Sequence, residues 1–231
     1  MKRKILCFVL FLMIFPLVIS AKTYSALDAT VNLDETKWNV FTPDNIKDNP
    51  ELEELGLTYE YMDNVFKTNN MYLDAALFDQ DDQNNTMEFF VIAKKTTIKS
   101  NLHMYSDKDM KDIEKEIIKD TISTGHDIYS TNNYKYVYMY YTDQGLNLCD
   151  YYTVINGYVY TIKIQKVNAF TDSDKTMIKS IVDGISFKLD EKYEVAPKKV
   201  GFNFTRIIIY AIVGGVVGGL SALLSKKKKV K

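Results

Sequence analysis

Few side chains in this sequence are equipped for nucleophilic, metal-binding or acid–base chemistry. The chain holds two histidines, His103 and His126, and two cysteines, Cys7 and Cys149. Zinc sites need ligands at short, fixed spacings, and no His-x-His, His-Glu-x-x-His or Cys-x-x-Cys pattern occurs. Cys149 with a histidine could form a thiol nucleophile and its base. It lies in the middle of an alternating strand pattern, however, where a core cysteine is the expectation. Neither Gly-x-Ser-x-Gly nor a phosphate-binding loop is present. No catalytic residue, metal ligand or cofactor is assigned, and the chain is not expected to be an enzyme.

Two further patterns invite a binding role. Asp79, Asp81 and Gln83 alternate as calcium-loop ligands do, but the sixth position is Asn84 rather than Gly and the twelfth is Phe90 rather than Glu. A polar connection between strands is the simpler reading. Tyr134, Tyr136, Tyr138 and Tyr140 fall on one face of an alternating segment. Tyr pairs flat apolar area with a hydroxyl, which suits a sugar ring or a partner protein. The same stripe could instead be a sheet face packed by a helix, since tyrosine favours strands anyway.

These residues must be placed by mixed elements. Trp38 to Phe41 reads as a short strand stopped by Thr42-Pro43. Asn49 and Pro50 open a helical turn that Gly56 closes. A helix is expected over 58–68, and strands over Met71–Asp79 and Met87–Lys95. Ser106 caps a helix running to about Ser123, with Met110, Ile113, Ile117 and Thr121 on one stripe. Leu148–Ile155 and Tyr158–Gln165 flank Asn156-Gly157, the preferred type I′ hairpin turn. That register sets Asp150 opposite Lys163. A last helix starts from a Thr171 cap with Asp174 at its third position, turns Met177, Ile178, Ile181, Val182 and Ile185 inward, and precedes a strand at Ser186-Phe187. There is no regular βαβ alternation, so the class is α+β with an antiparallel sheet flanked by helices.

The 231 residues carry a formal net charge of −1 that hides an asymmetry. All 30 acidic residues lie between Lys22 and Thr205, with only 20 of the 29 basic ones, so this section is acidic by ten charges. An acidic body repels phosphate backbones, which argues against nucleic acid as a partner. The basic residues at both ends flank apolar runs. Residues 1–21 have the layout of a secretory signal peptide, Lys2-Arg3-Lys4 before Ile5 to Ile19, with cleavage expected near Ser20 or Ala21. An uncut signal anchor is the alternative. The second run, Ile207 to Leu224, has 18 residues and no charge. As a helix it would be about 27 Å long at about 1.5 Å per residue, against a hydrocarbon core of about 30 Å. Residues 206–225 are therefore expected to form one transmembrane helix. The Lys-rich 226–231 tail would be cytoplasmic by the positive-inside rule. Gly214, Gly215, Gly218 and Gly219 form overlapping Gly-x-x-x-Gly patterns, which allow close helix pairing and a homodimer.

Residues 22–188 are then one extracytoplasmic α+β domain, and 189–205 a juxtamembrane stalk. Cys149 is the domain's only cysteine, so its stability must come from packing and hydrogen bonds. The early W-x-V-F-T-P motif at Trp38, the hairpin YYTVINGYVYTIKIQ and the closing SIVDGISF resemble the PsbP-like family, over roughly residues 36–188. That family comprises photosystem extrinsic subunits and exported, non-photosynthetic relatives. The resemblance implies an antiparallel sheet flanked by helices and a non-enzymatic role in assembly or binding. The C-terminal apolar run departs from the family's pattern, so no photosynthetic role is carried over. The expectation is a single-pass, cell-membrane protein with its domain outside. Its partners would be membrane lipid and an envelope protein or glycan. An exported hydrolase or carbohydrate-active module is the alternative.

Overall fold

The computed structural model describes residues 21–119 and 122–197. Residues 1–20, expected to belong to a signal peptide, the 206–225 apolar run with Gly214, Gly215, Gly218 and Gly219, the Lys-rich tail and Thr121 lie outside the described residues. Among the described residues no helix is long and apolar enough to cross a membrane.

Among the described residues, ten strands and four helices make an α+β fold in which every strand pairing is antiparallel. In chain order these are β1 (Ala21–Ala26), β2 (Ala29–Asp34), β3 (Trp38–Phe41), α1 (Pro50–Glu54), α2 (Tyr59–Asn69), β4 (Met71–Leu77) and β5 (Met87–Lys95). They continue with α3 (Asp107–Ile118), β6 (Ser123–Ser130), β7 (Lys135–Asp143), β8 (Leu146–Ile155), β9 (Tyr158–Lys166), α4 (Asp172–Asp183) and β10 (Ser186–Phe187). The large sheet has the order β3-β4-β5-β9-β8-β7-β6, and a small one the order β1-β2-β10.

Local chemistry explains most boundaries. Asn49, Thr58, Ser106 and Thr171 each accept a backbone N–H at a helix start, and Thr171 with Asp174 completes a reciprocal capping box. The β8–β9 turn has Asn156 at φ 51° and Gly157 at φ 78°, as a type I′ turn requires. Ile155 faces Tyr158 and Asp150 faces Lys163, the register the sequence indicates.

Three expectations change. The helix capped by Ser106 ends at Ile118, and Ser123, where it was expected to stop, begins β6. Ile117 is the last buried side chain of this helix. β6 itself was missed: it is an edge strand with no buried residue, and so lacks a hydrophobic alternation. The β1–β2 hairpin was also missed.

Layering follows from which face each strand residue takes. One face of the large sheet meets the β1–β2–β10 sheet and α4, through Val31, Phe89, Tyr136, Tyr151, Ile164 and Val182 among others. The second face is covered in two patches. Helices α1 and α2 bury Leu52, Met62 and Phe66 over Phe90 and Ile92, while α3 buries Met110, Ile113 and Ile117 over Val137, Tyr152 and Val159.

Candidate functional site

The tyrosine stripe faces inward. Tyr134 and Tyr136 are buried, and Tyr138 and Tyr140 are half-buried against the same core. The Tyr134 ring sits edge-on to Phe187 at 5.0 Å, and its hydroxyl accepts the Phe187 N–H at 2.9 Å. Tyr138 stacks on Tyr151, and Tyr140 meets Phe170 edge-on. Instead of an open platform, the stripe is the seam between the large sheet and the closing helix–strand unit. Its cause is the last segment of the domain, which lies over β7.

Cys149 is completely buried on that same inner face, and burial pushes its thiol well above the ordinary thiol range. His126 pairs with Met139, whose side chain belongs to the second face, so imidazole and thiol are separated by the sheet itself. The His126 Nδ1 lies 2.9 Å from Glu114 Oε1, and Glu114 also accepts from Lys111 at 2.9 Å. His103 lies near the β8–β9 turn, with Nε2 2.9 Å from Glu194 Oε2. Among the described residues no cluster of three or more His, Cys, Asp or Glu side chains could hold a metal ion.

In the acidic loop, Asp79 and Asp82 accept from the loop's own backbone. Asp79 Oδ1 accepts the N–H groups of Asp82 and Asp81, both at 2.9 Å, and these bonds hold its carboxyl below the usual range. Asp82 accepts the Asn84 N–H at 3.0 Å, ahead of a 3₁₀ turn over Gln83–Asn85. This is turn chemistry.

Between the two apolar patches of the second face, the central strands carry polar side chains that are all but sealed from water. Asp150 Oδ2 accepts from Lys163 Nζ at 3.0 Å, from the Tyr152 hydroxyl at 2.6 Å and from the Tyr141 hydroxyl at 2.9 Å. Lys163 also donates to the Tyr141 oxygen at 2.8 Å. One step along the sheet, Gln165 donates to Glu88. Charge in a low-dielectric site needs such direct partners, because unpaired burial costs several kcal/mol, on the order of 3–5 when a pair is broken. The sequence indicated the Asp150–Lys163 pair. It missed the two hydroxyls, since Tyr141 and Tyr152 read as ordinary strand tyrosines.

The most connected polar junction lies at the β8–β9 turn. Asn156 Nδ2 donates to the Lys188 carbonyl at 2.6 Å and to Asp28 at 3.0 Å, while its Oδ1 accepts the Asp190 N–H at 2.9 Å. Asn101 accepts the Asn156 N–H at 2.7 Å and donates to Glu194. Burial works against the charge on Glu194, but the bonds from His103 and Asn101 outweigh it and hold the carboxyl below its usual range. Residues 190–194, part of the 189–205 segment expected as the stalk, are thus hydrogen-bonded to the domain. Nearby, residues 130–134 and 183–186 line a shallow cleft of about 390 Å³. Asp183 on its rim accepts the Tyr129 hydroxyl at 2.7 Å.

No family model matches this sequence, and no curated protein matches it. The structure is similar to the solution structure of cyanobacterial PsbP from Synechocystis sp. PCC 6803, with 10% sequence identity and a TM-score of 0.42. The match covers 74% of this chain and 94% of that one.

Proposed function

We propose that this chain is a membrane-anchored extracytoplasmic protein that binds or assembles with an envelope protein and performs no catalysis. It crosses the bilayer once, through 206–225, with the C-terminus inside. The observation that carries the non-catalytic half of this reading is the separation of Cys149 from His126. The nucleophile is buried and held protonated on one face of the sheet, and the imidazole is paired with Glu114 on the other. The membrane half rests on the uncharged run from Ile207 to Leu224 and its basic flanks.

Protease added to intact cells tests the topology: the domain should be digested and a tag placed after Lys231 protected. A tag reached from outside would overturn it. Photo-crosslinking from the domain surface in intact envelopes should yield one discrete protein adduct. Capture of glycan in its place would favour the alternative of a carbohydrate-active module. One observation points that way, the cleft with Asp183 and Tyr129. It offers a single carboxylate, whereas glycoside hydrolysis ordinarily uses two.

A further inference from the structure

The two ends of the large sheet differ in chemistry and in their distance from the C-terminal apolar run. One end carries the β8–β9 turn, the β1–β2 turn and the fastened segment 188–197. The Lys188 N–H donates to the Asp28 carbonyl, Asn156 donates to Asp28 and to the Lys188 carbonyl, and the Thr96 N–H donates to the Gly157 carbonyl. This turn end exposes Leu27, Leu189 and Val195 at 42%, 40% and 43%. Lys95, Lys99, Lys188 and Lys192 are exposed around them, beside the exposed Glu191 and the partly exposed Asp28, Asp190 and Glu194, with Lys192 paired to Asp190. The opposite end carries the loop with Asp79, Asp81 and Asp82, the β7–β8 turn with Asp143, and Asp172 and Asp174 at the start of α4.

Leu27 is the unusual residue. It occupies the first position of a two-residue hairpin loop at φ 60°, where Gly is preferred because a Cβ costs about 1–2 kcal/mol. Its side chain is still 42% exposed, so burial offsets only part of that cost. An apolar residue kept in a strained, exposed place points to contact with something outside the fold.

The tether says what that is. Nine residues, 198–206, separate Pro197 from Ile207. Fully extended they reach about 30 Å. Strand β5, with nine residues, spans the sheet over a similar length, about 30 Å at about 3.3 Å per residue. Laying the acidic end on the bilayer would need the whole tether stretched along the domain, and would press carboxylates against phosphate headgroups. Laying the turn end there needs no such stretch, and brings Lys95, Lys99 and Lys188 to the phosphates together with the carboxylates of Asp190 and Glu191.

We propose that the turn end, through Leu27, Leu189 and Val195 with Lys95, Lys188 and Lys192, rests in the headgroup layer of the bilayer that holds the chain's own C-terminal run. The acidic end then points away from the membrane. This orientation rests on the anchored reading above. The test uses the full chain with Cys7→Ser and Cys149→Ala, reconstituted in vesicles of mixed anionic and zwitterionic phospholipid. A polarity-sensitive dye is attached at Leu27→Cys, Val195→Cys or Phe78→Cys, the last at the acidic end. A lipid-borne quencher should quench the dye at positions 27 and 195 several-fold more than at 78. Equal or reversed quenching, in protein that stays with the vesicles through alkaline carbonate, overturns the orientation and leaves the anchor standing. Protein stripped off by carbonate overturns the anchor and the orientation with it.

Discussion

Lys163 Nζ and Asp150 Oδ2 meet at 3.0 Å across directly paired positions of β9 and β8, with their side chains 9% and 1% exposed. Replacing Lys163 with Met leaves Asp150 charged and buried beside two tyrosine hydroxyls. We expect a loss of about 3–5 kcal/mol in denaturant unfolding. Asp150→Asn in the same chain removes the charge and keeps an acceptor for Tyr141 and Tyr152, so the double variant should regain much of that loss. A double variant no better than Lys163→Met alone would show that the pair is not the source of the cost.

Gly157→Ala should destabilise the domain in two separable ways. The residue sits at φ 78°, and an added Cβ would lie 2.7 Å from the Tyr193 hydroxyl. The backbone term is about 1–2 kcal/mol. Adding Tyr193→Ala should relieve the clash while leaving the backbone term, so thermal unfolding of the double variant should fall between Gly157→Ala and Tyr193→Ala.

Cys149 should be inert to thiol reagents in the folded protein and react as the domain opens, with labelling that tracks denaturant. Cys149→Ala should cost about 1–3 kcal/mol through lost packing. Rapid labelling of folded protein at neutral pH would contradict the burial and protonation described for this thiol.

Alkaline pH should unfold this protein through its tyrosines. Burial raises the hydroxyl pKa of Tyr105 and Tyr129 to about 12, and those of Tyr136, Tyr151 and Tyr152 further still. An unfolded tyrosine titrates near pH 10. Above that, the unfolded chain binds fewer protons than the native one, so stability falls as pH rises. The contribution is complete below about pH 10 and is lost progressively toward pH 12 and beyond. After the absorbance of the exposed tyrosines such as Tyr59 and Tyr61 has risen, the share of the buried ones should appear together with the change in circular dichroism, in one transition. Ionisation of all the tyrosines while the circular dichroism is still native would contradict this.

The glycines of the apolar run give a prediction outside the domain. If Gly214, Gly215, Gly218 and Gly219 form a packing seam, Gly218→Ile should weaken self-association of the 206–225 span in a bacterial dimerisation reporter. Equal signals from the two spans would mark the glycines as ordinary membrane-helix composition and the chain as a monomer.

Punctuated elements were legible from the sequence and weakly patterned ones were not. Asn156-Gly157, the Asn49-Pro50 start and the Thr171–Asp174 box each fix a backbone conformation with one or two residues. The Asp150–Lys163 facing follows from the turn by counting. The β7–β8 turn is of the same kind, with Gln144 and Gly145 at φ 49° and 81°, but Gln-Gly is a weaker signal than Asn-Gly. β6 is half-wet along its length, and Leu27 conceals a hairpin because leucine is rarely its first turn residue. The orientation of the tyrosine stripe was undecidable locally. Alternation shows that Tyr134 to Tyr140 share a face, but which face is covered depends on Phe187, 47 residues beyond Tyr140.

The small sheet joins β2 to β10, so Ala29 is paired with Phe187, at the two extremes of the domain. Such long-range closure slows folding, because the loop entropy is spent before the contact forms. A chain threading outward from its N-terminus would show an unpaired β2 edge, and an uncovered Tyr134, until Phe187 had emerged. The interval before closure is thus when the domain is open to chaperones and proteases, and slower threading of the last strand would lengthen that exposure without altering the finished fold's stability.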